Sequence, residues 1–124
     1  MSFNDLDLRE LDKGLSPKEK EEWNDIYSSY RGSSILTKRV SGVDSIKYEG
    51  NSVSCLVSID YRVKVLIPAG EVWYDKSAQR PDYVLKSMSG AEIDYVIIGI
   101  DRIGECAIAS RRLALESRRR AFKK

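Results

Sequence analysis

The side chains of this chain best suited to chemistry are its cations. Arg111, Arg112, Arg118, Arg119, Arg120, Lys123 and Lys124 crowd the C-terminal end against Glu116 alone, and Arg62 and Lys64 alternate along an apolar run. Charges placed this way capture phosphates with little sequence preference and lose affinity as salt rises. Arg118, Arg119 and Arg120 point three ways around a helix, so they do not form one intramolecular salt-bridge row, which favours an external anion over a merely solvated face. The other end of the chain is acidic: up to Tyr30, Asp5, Asp7, Glu10, Asp12, Glu19, Glu21, Glu22 and Asp25 outnumber Arg9, Lys13, Lys18 and Lys20. A net charge of only +2 conceals this segregation.

Catalysis finds little support. The chain has no His to serve as a base near neutral pH, no Ser or Cys in a recognisable nucleophile setting, and no Gly-rich phosphate loop. Asp60, Glu71 and Asp101 fall at strand ends, where carboxylates usually serve turns. Cys55 and Cys106 each lie within an apolar run and share no metal-ligand spacing, so they read as small buried thiols rather than a disulfide or zinc site. The expectation is a non-enzyme with no cofactor and no metal.

The elements that must hold these cations follow from periodicity. A chain of 124 residues suits one compact domain with an appendage. No apolar run approaches the roughly 20 residues of a membrane span, and the N-terminus lacks signal-peptide order, so a cytoplasmic address with no membrane partner is expected. In the acidic arm, Leu6, Leu8, Leu11 and Leu15 are sparse. At Ser16-Pro17-Lys18-Glu19 a capping box with proline at the first helical position predicts a helix start, Glu19 reaching back to the Ser16 amide. Trp23, Ile26, Tyr27 and Tyr30 then recur at helical spacing as one aromatic stripe, and Gly32 is placed to stop the helix.

From Ser34 the period turns to alternation. Strands are expected over 34–44, over 53–60 and 62–67 as a hairpin about Asp60-Tyr61, and over Glu92 to Asp101 and Cys106 to Ser110, the last pair apolar on both faces and so central. Residues 71–89, with Trp73, Tyr74, Arg80-Pro81 and Tyr83-Val84-Leu85, have no clean period and read as a connection with short helical turns. From Arg111 onward, Leu113, Leu115 and Phe122 amid Ala and Arg favour a final helix. Five strands after a helix, with a broken connection between the third and fourth, is the order of a small closed barrel.

Within this pattern, Ile67-Pro68-Ala69-Gly70-Glu71-Val72, the run Gly90 to Asp101 and Ala109-Ser110-Arg111-Arg112 resemble the third-strand exit, fourth strand and fifth-strand ending of S1-type RNA-binding domains. The resemblance covers residues 34 to 112. It implies a mainly β chain: a five-stranded, S1-like OB-fold barrel over 34–112, preceded by an acidic arm and amphipathic helix over 1–33 and followed by a basic helix or tail over 113–124.

If Cys55, Val57 and Ile59 point into the barrel, Leu56 and Ser58 point out; likewise Val63, Val65 and Ile67 point in, leaving Arg62, Lys64 and Leu66 outside. S1-type domains stack bases on aromatic residues of that outer face, but the matching positions here are Leu56, Leu66 and Pro68. Stacking on a ring contributes about 1 to 3 kcal/mol per base, of which a Leu recovers only part. Tyr48, Tyr61 or Tyr95 can compensate if one faces the groove, and Tyr61, at the hairpin, is best placed.

Two readings follow. In the first, the chain binds single-stranded RNA, alone or in a ribonucleoprotein particle such as the ribosome, weakly and with sequence tolerance, through Leu56, Tyr61, Arg62, Lys64, Leu66, Arg111, Arg112, Arg118, Arg119 and Arg120. In the second, a barrel without RNA affinity serves as a protein-interaction adaptor, and Trp23, Ile26, Tyr27 and Tyr30 bind a protein partner or a second copy. An exposed stripe favours the second reading; a buried one weakens it.

Overall fold

Ser16 begins the first element among the described residues. In a computed structural model that describes residues 14–48, 50–73 and 82–122, its hydroxyl accepts the Glu19 amide at 3.2 Å and α1 runs Pro17–Gly32. Glu19 answers the Ser16 hydroxyl at 3.2 Å rather than its amide, a variant of the expected box. The left-handed residue that ends α1 is Ser33, one beyond the expected Gly32, and its amide bonds the Ser29 carbonyl at 2.8 Å. The arm to residue 13, Tyr74 through Pro81, Lys123 and Lys124 lie outside the described residues, as does the side chain of Tyr48.

The strands are β1 (Leu36–Arg39), β2 (Gly42–Tyr48), β3 (Asn51–Ser58), β4 (Lys64–Pro68), β5 (Glu92–Asp101) and β6 (Cys106–Ser110). They form one six-stranded sheet in the order β1-β5-β6-β4-β3-β2, antiparallel except where β4 runs parallel to β6. A 3-10 turn, Ala69–Glu71, and a short α2, Asp82–Lys86, connect β4 to β5, and α3, Arg111–Phe122, follows β6 directly. The chain is thus mainly β with a helix on either side in sequence.

The count of five strands is corrected to six. Residues 34–44 read as one strand because alternation does not reveal a change of partner. Val40 donates to Ala91 O and accepts from Gly90 N–H, both at 2.8 Å, whereas the Ser41 amide turns to Val57 O at 2.7 Å. The two strands at the ends of the sheet order are therefore successive in the chain, with only Val40 and Ser41 between them.

The main core joins Trp23 and Ile26 of α1 to Leu56, Val65, Ile67 and Tyr95 of the sheet. Ser29, wholly buried on the same helix face, donates to Ser34 O at 2.6 Å and accepts the Ile97 amide at 3.0 Å. That acceptor lies at the β5 irregularity between Ile97 and Gly99, so α1 satisfies an amide near a break in the ladder. A second, smaller cluster of Cys55, Val57 and Leu66, with Ile46 and Ile108 against it, lies on the opposite side of the sheet. Among the described residues no helix is long and apolar enough to cross a membrane.

Candidate nucleic-acid interface

Ser110 fixes where the cationic helix starts. Its buried hydroxyl accepts the Leu113 amide at 3.1 Å, as an N-cap does, and donates to Glu71 Oε1 at 2.6 Å, tying α3 to the 3-10 turn. Ala114 is fully buried, and α3 packs along β5. The helix is thus held firmly while its arginines fan around it.

Each of these arginines can be located. Arg111 is half-buried and donates from Nη1 to Val72 O at 2.8 Å; burial lowers its pKa, opposed by the charge of Asp94. Arg112 pairs with Glu71 at 3.3 Å. Arg118 donates from Nε to Asp94 Oδ2, and Arg120 pairs with Glu116 at 2.8 Å. Arg119 is exposed. Beside Arg120 lies a groove of about 210 Å³ lined by Ser33, Val96, Leu113, Glu116 and Ser117.

Arg62 and Lys64 form a separate group. Lys64 is level with Cys106, at the opposite end of β6 from Arg111, so roughly five residues of strand, about 16 Å, separate the two sets of cations. Arg62 Nη1 pairs with Glu19 at 3.1 Å while its amide donates to Glu22, and Lys64 Nζ pairs with Asp44 at 3.0 Å. The Lys64 and Ser45 hydrogen bonds and the Lys64 charge keep the Asp44 carboxyl below its ordinary value.

The expected facing of β3 is reversed. Leu56 is fully buried in the main core, opposite Val43 and Ile67, and Cys55 and Val57 take the other side. Ile59, expected inside, is 60% exposed. Both faces of β3 carry apolar residues, so alternation alone did not say which was inner. For β4 the expectation agrees, since Val63, Val65 and Ile67 enter the core while Leu66 joins the outer cluster. Leu66 is nonetheless buried and presents little surface to a base.

Tyr61 does not offer a stacking face. Its ring is buried beneath Lys38 Nζ, 4.2 Å from the centroid, and its hydroxyl donates to Asp25 at 3.1 Å. Burial, reinforced by Asp25, pushes the phenol pKa up. Tyr95 lies wholly inside the core. The exposed aromatic that sequence reading passed over is Tyr83, 72% exposed on α2, with Leu85 of the same helix anchored in the core and Lys86 one turn on. Its only sequence signal was a ring in a segment without period.

Of the aromatic stripe, Trp23 and Ile26 are buried and Tyr27 is partly buried. The Arg102 guanidinium, also missed, lies 4.1 Å from the Trp23 ring centroid. Tyr30, 49% exposed, is the most outward-facing of the four. Cys55 is buried and Cys106 partly so; both thiols are free. No group of His, Cys, Asp or Glu that could hold a metal occurs among the described residues.

In comparisons with known proteins, the chain matches no family model and no curated protein.

Proposed function

We propose that this protein binds single-stranded RNA, weakly and with little sequence preference, through α3. The observation that carries this reading is an arginine-rich helix held on β5 with the side chains of Arg118 and Arg120 54% and 78% exposed. Guanidinium groups on a fixed helix suit phosphate oxygens, and their exposed pairs with carboxylates are weak enough to exchange for them. The groove beside Arg120, with Val96 and Leu113 in its lining, offers apolar contact to a base. Tyr83 with Lys86 is a second place where stacking and charge occur together.

The fold we assign to this role is an S1-like OB barrel. It is supported by the parallel β4–β6 pair and by the hydrogen bonds at Val40 and Ser41, which let β1 and β2 count as one bent strand joining both ends of the sheet order. The adaptor reading draws less support, because most of the aromatic stripe is occupied in packing.

The test is titration with single-stranded RNA, single-stranded DNA and duplex DNA over a range of salt, repeated with Arg118, Arg119 and Arg120 all changed to Glu. RNA binding that weakens with salt and collapses in the triple variant is expected. Absence of wild-type binding at low salt would remove the RNA reading, and an unchanged variant would remove α3 from it.

A further inference from the structure

One carboxylate of the sheet already engages an exposed arginine of α3. Asp94, on β5, accepts the Thr37 hydroxyl at 2.5 Å on one oxygen and the Arg118 Nε–H on the other. Arg111 adds a second guanidinium to its field. Burial alone would raise the carboxyl pKa, but the Thr37 and Arg118 hydrogen bonds outweigh it and hold the group below its ordinary value. This is the donor set of an anion site, one hydroxyl and one guanidinium converging on two oxygens.

The other carboxylates on α3's cations differ in kind. Glu71 is bound into the helix cap through Ser110, with only 12% of its side chain exposed, and so belongs to the framework. Glu116 lies within α3 and moves with it. Asp94, by contrast, joins Arg118 of the last turns to the sheet, with 54% of Arg118 and 21% of Asp94 exposed to solvent.

We propose that Asp94 is an internal competitor for phosphate: it holds Arg118 against β5 until a polyanion displaces it, and so sets the affinity threshold of the α3 face. The inference rests on the RNA-binding reading above and adds a residue that opposes binding. Displacement is within reach, because exposed ion pairs of this type contribute little and a phosphate offers the guanidinium a charge-assisted bond in return.

The experiment compares wild type, Asp94→Asn, Arg118→Gln and the double variant, each titrated with single-stranded RNA and with inorganic polyphosphate, a polyanion without bases. Asn keeps an oxygen for Thr37 and removes the charge. Asp94→Asn is expected to bind both ligands roughly two- to fivefold more tightly. The slope of log affinity against log salt should stay close to that of wild type, because Arg118 contacts phosphate in both complexes and the substitution removes only the cost of displacing Asp94. Arg118→Gln should abolish both gains in the double variant, which separates competition for Arg118 from a general change in net charge.

Equal or weaker binding by Asp94→Asn to both ligands, or a gain that survives Arg118→Gln, overturns the competitor role while leaving the RNA reading intact. If RNA binds neither form, the RNA reading fails. Polyphosphate then decides the Asp94 role on the same criteria, and its failure to bind either form overturns that role as well.

Discussion

At the scale of single residues, two side chains carry distinct tests. Ser29 is a small polar residue in the core that joins α1 to β5: its hydroxyl accepts the Ile97 amide and donates to Ser34 O. In Ser29→Ala the Ile97 amide loses that acceptor in the buried interior, a loss of about 1 to 3 kcal/mol. Denaturant unfolding should show a lower midpoint with an unchanged slope; a midpoint equal to wild type would mean the amide finds another acceptor. Tyr83 is the converse, exposed and not needed for packing, since Leu85 anchors its helix. Tyr83→Ala should leave stability within about 0.5 kcal/mol of wild type and weaken single-stranded RNA by about 1 to 3 kcal/mol. An abasic oligonucleotide should bind wild type and variant alike, because a backbone without bases has nothing to stack. Equal loss with both ligands would reassign Tyr83 to a structural role.

At the scale of elements, what the sequence disclosed depended on whether the signal was local. The start of α1 was legible because a cap is written within four residues, Ser16 to Glu19. The hairpin strands were legible from alternation, and β5 and β6 from runs that are apolar on both faces; between these two the Gly104 amide bonds Asp101 Oδ1 at 2.9 Å. Partner exchange at Val40 and Ser41 was not legible, since it is defined by Ala91 and Val57, distant in sequence. The facing of β3 was not legible either, because the outer side of Cys55 and Val57 is itself covered and therefore apolar. The candidate site followed the same rule. A cluster of cations is visible in composition, but the carboxylates that bind them, Glu71, Asp94, Asp44 and Glu19, come from four different places in the chain. Sequence segregates charge into an acidic beginning and a basic end, while the fold pairs the basic end mainly with carboxylates of the sheet, the 3-10 turn and α3 itself. A handle that looks uncompensated in sequence is largely compensated in space, which argues for modest affinity and for tuning by residues such as Asp94.

At the scale of the whole molecule, the interior sets an alkaline limit. Cys55, Tyr61 and Tyr95 are acids enclosed by the fold, and for each the largest influence is burial, which disfavours the anion. The Cys55 thiol is pushed from 9.0 up to about 11, and both phenols rise from 10.0. Where a folded-state pKa is raised, the unfolded chain releases its proton first, so over that window the folded state binds more protons and stability falls as pH rises. The stabilising contribution is complete below the ordinary thiol value and is lost as pH climbs through the folded one. We therefore expect denaturant midpoints to fall progressively as pH rises from 9.0 to about 11, the span of the Cys55 shift, with the phenols joining over its upper part. Tyr95→Phe isolates one contributor. The Tyr95 hydroxyl is buried beside the Ser58 hydroxyl with no hydrogen bond of standard geometry, so its removal should change stability by no more than about 1 kcal/mol at neutral pH. It should also make the alkaline decline shallower, because one proton that the fold retains no longer exists to be lost. Unfolding titrations of wild type and Tyr95→Phe at matched ionic strength, from neutral pH through the alkaline range, measure both effects. Parallel declines in the two proteins would show that Tyr95 ionises as readily in the folded chain as in the unfolded one, contrary to its enclosure between α1 and the sheet.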